Sequence, residues 1–417
     1  MNEGMIIIVI GFMLASYSVV ANDSIQTLGT FLHSNSHRKW WVLWLYSGTI
    51  MVTVMVYGWS RYHGDVSYDR LDKVYSKMVD FKGTEAAFDA VVLSDQEPRI
   101  SDLLKQVRDG IKESKKIYLS DNSRLADQVK TYAPAIREIQ TLSEDSSLPQ
   151  SLREQLGSVV TKSQKAIESM REHCHVGDFI RWYYLIPPVV LLLLTYYGFP
   201  VSTSFLILIT FQPAVLNAML IKSVSGYLLA FVVSIIVYLT VMRVLEKRWR
   251  KSKGDNNVPF WVVAQWLSTG FLWSMWLIQD MANIFVYVPR PLPVIGLGLC
   301  IFWMLTVQAY IYFSKGGRIQ QIVTTKTNTH DIRSATIVDL IYGLVLYYFK
   351  IQNNVPMSTT WVFIGLLAGR EFAFSLAYRK DALTLLSASK LMIKDLLKVI
   401  VGLLVSIALA YIVRAFG

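Results

Sequence analysis

The stretch Ala21-Asn22-Asp23-Ser24-Ile25-Gln26-Thr27-Leu28-Gly29-Thr30 follows an apolar run from Met5 to Val20 and interrupts it with polar residues. Such a run is close to the length that crosses a bilayer, so the acid falls near membrane depth. Charge there is expensive and marks an ion or substrate path. A helix broken at this point frees backbone carbonyls and amides, which is tolerated only where they line a cavity inside protein. The plainer alternative is a helix that ends near residue 21 with Asn22 or Asp23 in the headgroups.

Recurrence decides between the two. A second apolar run, Trp261 to Ile278, meets Gln279-Asp280-Met281-Ala282-Asn283, which aligns on the aspartates with Asn22-Asp23-Ser24-Ile25-Gln26. Each stretch is followed by a Pro-x-Ser-Thr tip, Pro200-Val201-Ser202-Thr203-Ser204 in the first case and Pro356-Met357-Ser358-Thr359-Thr360 in the second. Two copies of a two-part pattern in the same order make an internal repeat, and repeats in a membrane chain point to a transporter.

At these residues the sequence resembles the inorganic phosphate transporter family. That family carries Gly-Ala-Asn-Asp-x-x-Asn-x-x-Gly-Thr and a Pro-[Val/Ile]-Ser-Thr-Thr-His tip in each half. The match leaves out residues 61–178 and the connecting loops. Gln26 stands for Asn, Ser204 for Thr, Phe205 and Trp361 for the two His, and Val286-Tyr287 for Gly-Pro. The resemblance implies an all-α polytopic membrane protein of inverted-topology repeats with two re-entrant hairpins. It implies that Asp23, Ser202, Thr203, Ser204, Asp280, Ser358, Thr359 and Thr360 contact phosphate. It also implies that Asn22, Gln26, Gln279 and Asn283 hold sodium, a proton being the other coupling cation to consider.

The residues themselves leave the aspartates two roles. They hold a coupling cation in an oxygen-only shell with the neighbouring amides, or they accept a hydrogen bond from a protonated oxyanion. For the tips, amides at the start of a helix after proline carry partial positive charge. The Ser and Thr hydroxyls add neutral donors, apt for an anion that must also be released. A single Ser-Thr-Ser would read as an N-cap; two at matched positions read as a cage.

Composition agrees with a membrane chain. The 417 residues are 53% hydrophobic, 17% charged, and +0.38 in mean hydropathy. The N-terminus Met1-Asn2-Glu3-Gly4 lacks the basic segment of a cleaved signal. The net charge of +11 is read as loop charge that sets topology rather than as a nucleic-acid surface. Cys174 and Cys300 suggest no disulfide framework, and no nucleophile–base pair or metal set marks an enzyme. No cofactor is expected. His173-Cys174-His175 is the one metal-like cluster, but adjacent side chains diverge and the set is incomplete for zinc.

In chain order, residues 1–60 form the first-repeat membrane part, with spans Met5–Thr30 and Trp40–Trp59. Residues 61–178 form an inserted extramembrane domain of amphipathic helices, with Leu103-Leu104-Val107-Ile111 and Leu152-Leu156-Val159-Val160 at helical spacing and breaks at Gly83, Pro98, Pro134 and Pro149. Residues 179–246 supply a re-entrant hairpin, descending over Val189–Phe199 and returning over Phe205–Met219, then a span, Val224–Leu245. Residues 259–417 are the second repeat: spans Trp261–Ile284 and Ile295–Phe313, a hairpin of Ile337–Phe349 and Trp361–Ala368, an interfacial stretch Arg379–Lys398, and a last span Val399–Val413. Arg370 and Glu371 are expected at the headgroups, about 15 Å beyond the tip.

Basic loops at Arg38/Lys39, Lys247–Lys253 and Lys315–Arg333 place the N-terminus outside. Six spans and two hairpins then put residues 61–178 outside and the two hairpins on opposite faces, an inverted arrangement reached without the motifs. The reading is a secondary transporter for inorganic phosphate coupled to a cation, in the bacterial inner (plasma) membrane. The alternatives are a sulfate permease and a transporter-like sensor signalling through residues 61–178. A homodimer and a partner for that domain are left open.

Overall fold

The computed structural model describes residues 3–75, 79–92, 98–120, 124–172, 180–197, 199, 201–242, 259–314, 332–377 and 385–416. The architecture is all helical among these residues. Among the described residues six helical segments are long and apolar enough to cross a membrane: Gly4–Asp23, Trp40–Arg61, Pro213–Thr240, Val294–Phe313, Ala335–Gln352 and Ser389–Phe416. The chain is an integral membrane protein on that basis.

The chain divides into two compact units. The first comprises Met1–Met5, Asp72–Ile180 and Pro289–Pro291, and the second Ile6–Leu71, Arg181–Val288 and Leu292–Gly417.

The first unit holds α4 (Phe81–Asp89), α5 (Pro98–Ser120), α6 (Leu125–Glu144) and α7 (Gln150–Glu172). Each is amphipathic. Leu104, Val107 and Ile111 of α5, Val129, Ile136 and Ile139 of α6, and Leu156, Val159 and Val160 of α7 are buried. Tyr132 and Ser114 share a hydroxyl hydrogen bond of 2.9 Å between α6 and α5. Pro98 and Pro149 stand at helix starts as expected, but Gly83 and Pro134 lie inside α4 and α6 rather than between helices. His173-Cys174-His175 lies outside the described residues.

The second unit carries the long apolar helices. Helix α1 (Glu3–Ser34) runs 32 residues without interruption through the Asn-Asp motif, which corrects both the expected break and the expected end near residue 21. The reason is energetic. Asn, Asp, Ser and Gln differ from good helix formers by only about 0.7 kcal/mol or less, and no proline follows. Thr27 also spends its hydroxyl on the Asp23 carbonyl, 3.0 Å away on the preceding turn. The same holds for α11 (Pro259–Phe285), continuous through Gln279-Asp280-Met281-Ala282-Asn283. Helix α2 (Trp40–Arg61) and α12 (Val294–Phe313) pack together, and α2 also packs on α11.

After a short 3₁₀ turn at Trp182–Leu185, α8 (Ile186–Tyr196) and α9 (Thr203–Phe211) meet at the first Ser-Thr tip. The helix after this tip is shorter than the expected Phe205–Met219. Gln212 is extended (φ −146, ψ 94) and Pro213 follows, so α9 stops at Phe211 and α10 (Leu216–Val237) begins beyond a 3₁₀ turn. Helices α13 (Ile332–Gln352) and α14 (Thr359–Ala377) meet at the second tip and are both longer than the sequence suggested. The number of membrane-length segments therefore matches the expectation of six while their membership differs: α13 joins the set. Helix α11, long enough at 27 residues, is too polar for it, carrying Gln265, Ser268, Thr269, Gln279, Asp280 and Asn283 on a buried face. Arg370, expected at the headgroups, is buried within protein, its guanidinium over the Phe374 ring at 5.9 Å. The last helix, α15 (Leu385–Phe416), is one 32-residue piece instead of an interfacial stretch followed by a span.

Helices α10 and α14 approach closely at two glycines. A Cβ added at Gly365 would run into the Tyr227 carbonyl oxygen, and one at Gly369 into that of Phe231. Small residues four apart let two backbones approach this closely, as in membrane helix pairs.

Candidate functional site

The site is built where the two tips meet between α1 and α11. Tip one opens α9: Ser202 is its N-cap, with the hydroxyl accepting from the Phe205 amide at 3.2 Å. Tip two opens α14 in the same way, the Ser358 hydroxyl accepting from the Trp361 amide at 3.3 Å. Both caps use a serine because its short side chain satisfies an amide that the first helical turn cannot.

The tips then bond to each other reciprocally. The Ser204 hydroxyl donates to the Met357 carbonyl at 3.0 Å, and the Thr360 hydroxyl donates to the Val201 carbonyl at 3.1 Å. In each direction the last residue of one Pro-x-Ser-Thr-[Ser/Thr] tip reaches the second residue of the other. The rings of the following residues, Phe205 and Trp361, pack at 5.8 Å. Ser223 of α10 accepts from the Ser358 amide at 2.9 Å, and the Tyr342 hydroxyl of α13 donates to the Thr359 carbonyl at 3.0 Å.

Both acids sit against these tips, and both are completely buried. Asp280 Oδ1 accepts from the Thr203 and Ser204 hydroxyls, each at 3.3 Å, and from Asn283 Nδ2 at 2.6 Å. The Asn283 amide also reaches both hydroxyl oxygens at 3.1 Å. Thr359 lies near Asp280, and Thr203 near Asp23. Asp23 and Asp280 are near enough to interact as charges. Asn22 closes the first-half side: its Nδ2 donates to Asp23 Oδ1 at 2.7 Å and to the Val201 carbonyl at 3.2 Å, and its Oδ1 accepts from the Thr195 hydroxyl at 3.1 Å.

The structure thus brings together Asn22, Asp23, Ser202, Thr203, Ser204, Asp280, Asn283, Ser358, Thr359 and Thr360, all buried. Gln279 is buried beside them but turns its amide nitrogen to the Leu346 carbonyl, 3.1 Å away on α13. The Gln26 side chain lies outside the described residues.

Two chemical capacities follow. Asp23 Oδ2, Asp280 Oδ2, Asn283 Oδ1 and Gln279 Oε1 are buried without a hydrogen-bond partner among the described residues. Buried acceptors are normally satisfied, and carboxylate and amide oxygens are ligands for hard cations. The first-turn amides of α9 and α14 at Thr203, Ser204, Thr359 and Thr360 have no acceptor within their own helices, a geometry suited to an anion. The hydroxyls, by contrast, are not free donors: they are already directed at Asp280 and at the opposite tip.

Sequence reasoning missed four buried charged residues among those described in this unit: Asp65, Arg70, Lys222 and Asp339. Arg70 is 1% exposed, with Nε on the Ile278 carbonyl at 2.8 Å, and acts electrostatically on Asp280. Lys222 of α10 donates to the Val355 carbonyl at 2.8 Å and to Asn353. Asp339 of α13 accepts from Thr30 at 2.9 Å and from Thr269 at 2.6 Å. A lone charge in an apolar helix was the available signal for Lys222; Arg70 sits in a polar stretch where nothing distinguishes it.

No protein-family model matches the chain, and no curated protein matches it. Among solved structures it is similar to one described as the sodium-dependent phosphate transporter, at 15% sequence identity, with 100% of each chain covered and a TM-score of 0.36.

Proposed function

We propose that this chain is a secondary transporter that moves inorganic phosphate, or a tetrahedral oxyanion like it, together with a cation. The observation that carries the reading is the reciprocal Ser204–Met357 and Thr360–Val201 pair, set against two buried aspartates. An exchange of equal bonds between matched tips is what a local two-fold produces, and it supports inverted repeats with two re-entrant hairpins.

In this reading the anion is met by the amides opening α9 and α14. Thr203, Ser204, Thr359 and Thr360 turn their hydroxyls from Asp280 and the opposite tip toward substrate as the two tips part. Exchange of one set of neutral bonds for another keeps binding reversible. Asp23 or Asp280 accepts a proton-bearing oxygen of the anion. The free oxygens of Asp23, Asp280, Asn283 and Gln279 hold the cation, with Asn22 and Gln26 as further members of the set. An oxygen-only shell favours sodium, and a proton on one aspartate is the alternative.

The remaining assignments belong to the same proposal: N-terminus outside, bacterial inner membrane, and residues 61–178 outside. A sulfate permease would use the same tips but gain nothing from the acids. A sensor would bind without flux and signal through the unit built on α4–α7. The deciding experiment is counterflow of labelled phosphate in proteoliposomes, with sodium or choline outside at fixed pH. Sodium-dependent exchange is expected. Binding without exchange would move the reading to the sensor.

A further inference from the structure

We infer that a second anion site, able to take a phosphate-type group, lies beside Lys222 in a cavity distinct from the tip contact. The cavity is about 440 Å³ and is lined by Lys222 and Ser225 of α10, Tyr348, Phe349 and Gln352 of α13, and Asn353. A water's share of liquid is about 30 Å³, so the space takes a hydrated oxyanion.

The charge balance points to the ligand. Lys222 is the one charged residue in α10 and is 6% exposed. Its three N–H groups go to Asn353 O at 3.1 Å, Asn353 Oδ1 at 3.0 Å and Val355 O at 2.8 Å, all of them neutral. Arg70 approaches the same Val355 carbonyl and acts electrostatically on Lys222 and on Lys350. Among the described residues neither Lys222 nor Arg70 forms an ion pair. Asp280 offsets part of the Arg70 charge, whereas Lys222 meets only neutral acceptors and the repulsion of Arg70, a costly state for a nearly buried cation. An anion in the adjoining cavity relieves both terms. Tyr348, Gln352 and Ser225 supply polar groups around it.

The location gives the site its purpose. Val355 immediately precedes the second tip, so an anion that draws Lys222 away from Asn353 and Val355 loosens the chain leading into that tip. Free phosphate and the phosphate of an anionic lipid headgroup share the required chemistry. The cavity's apolar edge, with Ile221 and Leu229, is open to either. The inference extends the transport reading and does not depend on flux.

The test is equilibrium binding of labelled inorganic phosphate to the purified full chain in lipid-free neutral detergent, paired with native mass spectrometry after exchange into phosphatidylglycerol nanodiscs. Lys222→Gln should remove one class of bound phosphate, or weaken it at least tenfold, while Lys222→Arg retains it. Ser225→Glu, which puts a fixed carboxylate into the same cavity, should weaken the same class. Thr203→Val should leave it unchanged. If the occupant is a lipid, Lys222→Gln and Ser225→Glu instead lose a retained phosphatidylglycerol with phosphate binding unaltered. Wild type and both variants alike in both arms would overturn the site. Loss of flux in the wild type with Lys222-dependent binding preserved would sink the transport reading alone.

Discussion

Ser204 donates its hydroxyl to the backbone carbonyl of Met357 at 3.0 Å across 153 residues of chain, and Thr360 returns the bond to Val201. The two bonds hold one contact, so their loss should not be independent. Ser204→Ala and Thr360→Val should each destabilise the protein by about 1–3 kcal/mol, the usual penalty for a buried carbonyl left unsatisfied. The double variant should depart from additivity by about 0.5 kcal/mol or more. Thermal unfolding in detergent measures all three; strict additivity would mean that the tips do not act as a pair.

The Thr203 hydroxyl donates to Asp280 at 3.3 Å and lies near Asp23. Thr203→Val and Thr359→Val preserve shape and remove one donor each. Phosphate affinity should fall by about 1–3 kcal/mol in each case, read by equilibrium binding with folding checked by gel filtration. Unchanged affinity in both variants would remove the tip hydroxyls from the site.

Asp280→Asn separates recognition from coupling. Phosphate near neutral pH keeps a proton that it can donate to a carboxylate, whereas sulfate has none. A site that requires a hydrogen bond discriminates by orders of magnitude, so the wild type should prefer phosphate strongly and the variant should narrow the gap. Competition of sulfate against labelled phosphate measures it. If sodium dependence falls while the anion preference holds, the acid serves the cation only.

Gly369→Ala should destabilise by about 1–3 kcal/mol, because the obstacle is the Phe231 backbone oxygen and cannot rotate away. Gly298→Ala in α12, where nothing lies within 4 Å of the new Cβ, is the control. It should be neutral or stabilising by up to about 1 kcal/mol. Thermal unfolding of both variants ranks them.

Lys116, with 74% of its side chain exposed on α5, reports sidedness. In a Cys174→Ser background, Lys116→Cys should react with an impermeant thiol reagent in intact cells. Cys300 is buried and should contribute little. Labelling only after lysis would reverse the orientation.

Much of the site was legible because it is written in local patterns that occur twice. The tips pair a helix breaker with capping serines, and the same residue types recur at the same offsets, so Asp280 and Thr203 could be expected together without any knowledge of their distance. What escaped the sequence is burial, which depends on neighbours remote in the chain. Arg70 looks like any surface arginine until Ile278 and Val355 are folded over it. Helix continuity escaped for a different reason. Polar residues at 22–26 suggest a break by analogy with surface helices, yet their intrinsic penalties are small and the Asn22 and Asp23 side chains find partners inside the protein. Proline was the better guide: Pro213 ended α9 where hydropathy alone carried it on to Met219.

If the proposed cation site is right, the unbroken course of α1 and α11 through their acidic motifs restricts how an ion can be chosen. Carbonyls within a helical ladder are already engaged by amides one turn later, so the main chain has little to lend to a coordination shell there. Selection must then be vested in side-chain length and charge, which single codon changes alter one ligand at a time. On that reading, a change of ion would need new side chains and no rebuilding of the backbone.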